Sequence, residues 1–109
     1  MITRTAIFEG RFSGDNEARF FAGVEDRLAP LWRQFPGALD VRWFRMDSAD
    51  ADARPIVMIQ QIDYPSHEAL AQAIASPIRD QARAVTMELM TCLDGSFYHF
   101  ISEGGARQP

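Results

Sequence analysis

The chain has 109 residues and contains no lysine; all eleven basic residues are arginines. A catalytic lysine, as Schiff-base nucleophile or general base, is therefore excluded. The single cysteine, Cys92, cannot form an intramolecular disulfide, so nothing points to an oxidising compartment. It lies between Thr91 and Leu93 with no histidine beside it, and reads as a small buried hydrophobe. The arginines never cluster, and the net charge is −4, so the concentrated positive patch that nucleic acid requires is missing. No stretch approaches the ~20 consecutive apolar residues of a membrane span. The opening MITRTAIFEGRF lacks the basic-then-apolar pattern of a signal peptide, so the expected compartment is the cytoplasm. Metal-ligand patterns are absent too. His67 and His99 have no companion at ligand spacing, and the Asp47, Asp50, Asp52 run lacks the central glycine and closing glutamate of a calcium loop. Neither a metal nor a cofactor is expected.

What is present suits one compact domain over residues 1–103, with 47% hydrophobic and 24% charged residues, followed by a flexible tail at 104–109. Residues 2–12 are rich in β-branched and aromatic side chains and predict a strand. After a turn at SGDN, with Asp15 as the expected N-cap, Phe20, Phe21, Val24, Leu28, Leu31, Trp32 and Phe35 recur at helical spacing. Pro30 should kink or shorten that helix, and Pro36-Gly37 should end it. Strands follow at 38–46 and 55–63, joined by the acidic loop at 47–54. Ser66 caps a second helix, which Ser76-Pro77 interrupts; Ile78, Ala82, Val85, Leu89 and Leu93 then continue an apolar stripe. Asp94-Gly95 reads as a turn before a last strand at 96–102. The order β-α-β-β-α-β predicts an α+β, ferredoxin-like fold: a four-stranded antiparallel sheet with two helices on one face. The third and fourth strands are bulky on both faces, while helices can cover only one. The second face is expected to be buried by another copy, through a two-fold dimer.

FPG at Phe35–Gly37, the hairpin of the second and third strands, and above all DYPSHEALAQAIASPIRDQARA (Asp63 to Ala84) resemble the dimeric α+β barrel superfamily. Its EthD-like and antibiotic-biosynthesis-monooxygenase-like members are the most similar. The resemblance covers residues 2–103 and implies paired sheets forming a closed barrel. It also implies a cleft between sheet and helices for a small organic ligand. Activities in the superfamily include cofactor-independent oxygenation, cyclisation, lactone isomerisation and haem degradation, and many EthD-like members have no assigned reaction. The Asn, Trp and His set of haem-degrading members has no counterpart here, because the only Asn, Asn16, precedes the first helix. Cyclase-like members use a His and Tyr pair.

His99 and Tyr98 are accordingly the catalytic candidates, His99 to accept a proton and Tyr98 to polarise an oxygen. Being adjacent on a strand, they point to opposite faces unless a bulge intervenes. His67, just after a helix cap, reads as an ordinary exposed residue. Gln60 and Gln61 are polar residues inside an apolar strand, and whichever is buried needs a partner; Gln60 is a ligand-binding candidate. So are Trp32 and Trp43, as aromatic walls, and Arg42, as a fork for a carboxylate. Alternation puts Arg42 with Asp40, Phe44 and Met46, and Arg45 with Val41 and Trp43, so both cannot grip one ligand. The competing reading makes both arginines guards of a sheet edge. Arg4 falls on a strand predicted to be central and needs a partner if it is buried. Three functions fit: a cofactor-independent enzyme acting on an aromatic or polyketide-like carbonyl compound, a binding protein with the same cleft, or a dimer serving a larger assembly.

Overall fold

A computed structural model describes residues 1–104; of the tail at 104–109, all but Gly104 lies outside the described residues. The strands are β1 (Ile2–Phe12), β2 (Asp40–Arg45), β3 (Ile56–Tyr64) and β4 (Leu93–Glu103). They form one antiparallel sheet in the order β2-β3-β1-β4, the arrangement predicted, with β1 and β3 inside and β2 at an edge. Because side chains alternate, register fixes which residues share a face. Ala6 stands opposite Gln60 on one side and His99 on the other, and Trp43 is opposite Gln60. Trp43, Gln60, Ala6 and His99 thus form one row across the sheet. Met58, Phe8 and Phe97 occupy the next row on the same face, and Ile62, Arg4 and Ile101 the row on the other side.

That face carries the helices. The first helical stretch comprises α1 (Asn16–Gly23), a π-helical turn over Val24–Leu28 and α2 (Ala29–Trp32). The interruption predicted at Pro30 is therefore spread over the turn before it. Proline withholds an N–H and crowds the carbonyl four residues back, here that of Asp26. The wider turn, in which the Ala29 N–H bonds to the Val24 carbonyl, accommodates this. Asp15 forms no side-chain cap bond, whereas Ser66 accepts the Ala69 N–H at 3.1 Å and starts α3 (His67–Ile74) as expected. Ser76-Pro77 breaks the chain into α4 (Pro77–Leu89), with the proline in its first turn. The core lies between helices and sheet: Phe20, Val24 and Leu28 from above meet Phe8, Met58 and Ile62 from below.

Asp94-Gly95 is not the turn expected there. A short 3-10 segment, Met90–Cys92, reverses the chain, and β4 already runs through both residues. Gly95 opposes Gly10 in the ladder, and the two backbones approach closely. A Cβ on Gly95 would lie 1.9 Å from the Glu9 carbonyl oxygen, and Gly10 has φ of +145°. Glycine is required here by contact and conformation, so a DG pair that resembles a turn signal is a strand device instead.

Among the described residues no helix covers the opposite face. Thr3, Thr5, Ile7 and Glu9 of β1 lie there, flanked by Ile59, Gln61 and Asp63 of β3, then Asp40, Arg42 and Phe44 of β2, with Tyr98 and Phe100 of β4 beyond. Phe44 and Phe100 are 47% and 59% exposed. Replacing Gly10 with alanine should destabilise the fold by about 2–3 kcal/mol through strain and overlap. Urea unfolding of the wild type and Gly10→Ala measures this, and an unchanged midpoint would contradict the close approach.

Candidate functional site

Between α2, α4 and the helix-side face of the sheet is a small, half-open cleft with an enclosed volume of about 50 Å3. Its floor is made by residue size: Ala6 on the central strand presents only a methyl group between Gln60 and His99, and Ala82 on α4 does the same from above. Gln60 and His99 are two strand spacings apart, roughly 10 Å, so the small floor opens a slot between them. Aromatic side chains form the walls. Trp32 and Phe35 come from the first helical stretch and its exit, and Phe97 stacks on Phe8 with ring centroids 5.6 Å apart. Phe97 also meets the His99 ring edge-on at 5.8 Å.

The charges in this cleft are all of one sign. Arg4 rises from β1, and Arg79 and Arg83 descend from α4, where positions 79, 82, 83 and 86 share one helical face. Among the described residues no carboxylate lines the cleft. Arg4 has no ion-pair partner among them, and the ion pair of Arg79 is a loose 3.8 Å approach to Asp80, itself largely exposed. Arg83 lies 6.0 Å above the Phe97 ring. Burial, with Arg79 and Arg83 adding repulsion, pulls the Arg4 guanidinium below its ordinary value. The same causes act on His99: burial first, then the three arginines, bring its pKa down to about 4. His99 is neutral at pH 7, the form that can accept a proton.

Of the six candidates named from the sequence, the fold brings His99, Gln60 and Trp32 into this cleft. Trp43 stands behind Trp32, with centroids 5.8 Å apart, and takes Arg33 on its face at 5.3 Å; it supports the wall without lining the cleft. Tyr98 and Arg42 lie on the other face of the sheet, because β4 and β2 run through without a bulge that would reset their alternation. Tyr98 donates to Glu9, whose carboxylate also accepts from Arg54 Nε at 2.9 Å and Nη2 at 2.6 Å. Those bonds hold the Glu9 carboxyl below its ordinary range, Arg54 first and Tyr98 second. Arg42 Nη1 bonds Asp63 at 2.8 Å and Asp40 at 3.0 Å, while its Nε donates to Gln61 at 3.0 Å. Gln61 passes the chain to Thr5, and Thr3 donates to Asp63 at 2.6 Å. Arg42 is an internal cross-brace of the open face, not a group free to take a carboxylate.

No protein-family model matches the chain, and no curated protein matches it in sequence. Solved structures do match. An EthD family protein from Bacillus halodurans superposes with a TM-score of 0.74 at 22% identity, over 96% of this chain and 99% of that one. This is the fold of the dimeric α+β barrel proteins. SnoaB, a cofactor-independent oxygenase from Streptomyces nogalater, follows the same path with a TM-score of 0.68 at 17% identity, over 99% and 96% of the two chains. A dimeric ferredoxin-like protein of unknown function from Jannaschia sp. CCS1 gives 0.67 at 13% identity, over 94% and 98%. At these identities the ferredoxin-like α+β fold of the subunit is shared, while the side chains of the cleft must be argued from this chain alone.

Arg79 and Arg83 escaped the sequence reading, although their spacing of four with Ala82 and Thr86 marks one helix face. Among the described residues no group of three or more His, Cys, Asp and Glu side chains is placed to share a metal ion, and no helix is long and apolar enough to cross a membrane.

The His99 shift predicts a pH dependence. Its folded pKa lies below the ordinary 6.5, so between about 4 and 6.5 the unfolded chain binds the extra proton. Stability is fully present above 6.5 and falls as pH drops toward 4. Because the ring is partly open to solvent, the loss should be about 1–2 kcal/mol, less than the full shift implies. Asp63 and Glu9, both held low, lose their contributions only below the ordinary carboxylate range. Urea unfolding at a series of pH values should show the upper slope in wild type and its absence in His99→Gln.

Proposed function

We propose that the protein is a homodimeric α+β barrel whose helix-side cleft binds a small aromatic or polyketide-like carbonyl compound, with His99 moving a proton and no cofactor taking part. The observation that carries this reading is the convergence of His99, Gln60 and Trp32 on one arginine-lined cleft. A flat substrate would lie against Trp32 and Phe97, its carbonyl oxygen toward Gln60 and Arg4. Neutral His99 takes a proton from the carbon beside the carbonyl: the C–H bond breaks, an N–H bond forms, and the electron pair moves onto oxygen as an enolate. The three guanidiniums lower the basicity of His99, but they also stabilise the negative charge that develops on oxygen. Such an enolate is the starting point for isomerisation, cyclisation or reaction with molecular oxygen. SnoaB is a cofactor-independent oxygenase, which suits the last of these. Tyr98 has no part in this scheme.

A second reading, a binding protein of EthD-like type without chemistry, is favoured by one observation. Among the described residues nothing hydrogen-bonds the His99 ring to fix its orientation, as an acid–base histidine usually requires. Hydrogen–deuterium exchange at the enolisable carbon of 2-tetralone, followed by NMR, separates the two. The enzyme reading expects acceleration by wild type and a loss of about a hundredfold in His99→Gln. Binding of 2-tetralone without acceleration would establish the second reading.

The open face supports the dimer: Phe44 and Phe100 stand exposed beside Ile7 and Ile59, between the Arg42–Asp63 and Glu9–Arg54 braces. With a chain of 12.3 kDa, sedimentation at micromolar concentration should give a particle of twice that mass. Phe100→Glu should shift it toward monomer by placing a charge in the apolar seam; a wild-type particle of single-chain mass would refute the dimer.

A further inference from the structure

We propose that the natural ligand of the cleft is an aromatic acid, whose carboxylate is held by Arg4 with Arg79 and Arg83 while its ring lies between Trp32 and Phe97. The inference rests on the cleft reading above and names the class of molecule the cleft selects.

Three arginines face one small recess, and among the described residues no carboxylate lines it. Elsewhere four arginines meet carboxylates, and Arg11, Arg19 and Arg33, which do not among the described residues, are exposed, where an unpaired charge costs little. Arg42 meets Asp63 and Asp40, Arg54 meets Glu9, Arg45 meets Glu17, and Arg27 meets Glu88, several of them at exposed positions where pairing matters little. Arg4 is the opposite case. It sits on the central strand, partly buried and beside Ile2, Ala6 and Tyr64, where an unpaired guanidinium costs most. It also has Arg79 and Arg83 as like-charged neighbours. A chain with carboxylates to spare, at net charge −4, brings none of them here. An anion from outside satisfies all three groups at once.

The form of the anion follows from the surroundings. Arg4 offers a planar fork, which matches a carboxylate through two parallel hydrogen bonds. Beside it the cleft is aromatic: Trp32, Phe35 and Phe97 face a floor and ceiling of alanine methyls, Ala6 and Ala82. Such walls suit an aromatic ring entering from the cleft mouth, and the Gln60 amide and His99 ring on the flanking strands offer polar contacts for ring substituents. A dianionic phosphate would leave the apolar half of this lining unused.

Isothermal titration calorimetry with 2-naphthoate and its uncharged isostere 2-naphthamide tests the assignment. Hydrogen bonds to a charged group, left unmatched by the amide, should make wild type prefer the acid by about tenfold or more. Arg4→Met keeps the length of the side chain and removes its charge. It should weaken naphthoate far more than naphthamide, bringing the two affinities to within about threefold of each other. Because the variant relieves a partly buried unpaired charge, its melting temperature should not fall, which separates lost recognition from lost folding. Equal affinity of wild type for acid and amide, with both abolished by Ala82→Leu, would leave the cleft reading standing and overturn the anion assignment. Preference for the acid that survives Arg4→Met overturns it as well. Failure of wild type to take up either probe at millimolar concentration overturns both readings together.

Discussion

Strand β1 is hydrogen-bonded along nearly its whole length on both sides, to β3 and to β4, and the position of every functional side chain is counted from it. With two partners and alternating side chains, β1 sorts the molecule into two unlike halves. Ile2, Arg4, Ala6 and Phe8 face the helices; Thr3, Thr5, Ile7 and Glu9 face away. Shifting either ladder by one residue would move His99 or Gln60 to the other face and dismantle the cleft. The Gly10–Gly95 contact guards against such a slip on the β4 side, since only that register puts two residues without Cβ where the backbones meet. On the β3 side the irregularity near Phe8 and Glu9 absorbs Val57, and everything from Ile7 toward Ile2 stays in strict register.

The two halves use charge in opposite ways. On the open face every charge among Asp40, Arg42, Asp63, Glu9 and Arg54 has a partner, and threonine, glutamine and tyrosine take up further bonds. Paired and hydrogen-bonded in this way, those residues can be covered without the penalty of a bare buried ion. That suits a face meant to be shut against another surface, and it leaves Phe44, Phe100 and their neighbours to supply the apolar contact. Around the helix-side cleft the pairing thins out. Arg4, Arg79, Arg83 and His99 are left facing a recess, which is poor design for stability alone. Departures from local economy of this kind collect at sites under functional constraint.

Most of the architecture was legible in the sequence, for reasons that can be located. The β-branched run of β1, the Ser66 cap and the Ser76-Pro77 break are short-range signals, and each acted as local chemistry says it should. Asp94-Gly95 misled because the same dipeptide serves a turn or a close strand crossing, and only the partner strand decides which. Within the site, the opposite orientation of Tyr98 and His99 followed from alternation alone. Side-chain partners did not: that Arg42 is consumed by Asp63 is a contact across 21 positions, outside any local pattern. Arg79 and Arg83 were hidden by the apolar stripe of α4, which was traced through Ile78, Ala82, Val85 and Leu89. The buried line runs instead through Ala82, Thr86 and Leu89, turning the helix so that its arginines overlook the cleft.

That rotation explains why the cleft exists at all. Had Ile78 and Val85 pointed straight at the sheet, their branched side chains would have filled the space above Ala6, as an ordinary core requires. With Ala82 and Thr86 there instead, the helix presents a methyl group and a hydroxyl already spent on the Ala82 carbonyl at 2.8 Å. Small residues on both sheet and helix then leave a gap that close packing does not remove, and long arginine side chains border it without filling it. The same choice that opens the volume also sets its charge, since the residues at either side of Ala82 on that face are Arg79 and Arg83. Volume and charge therefore come from one helix orientation, so a mutation that turned α4 back by a single position would be expected to close the cleft and discharge it at once.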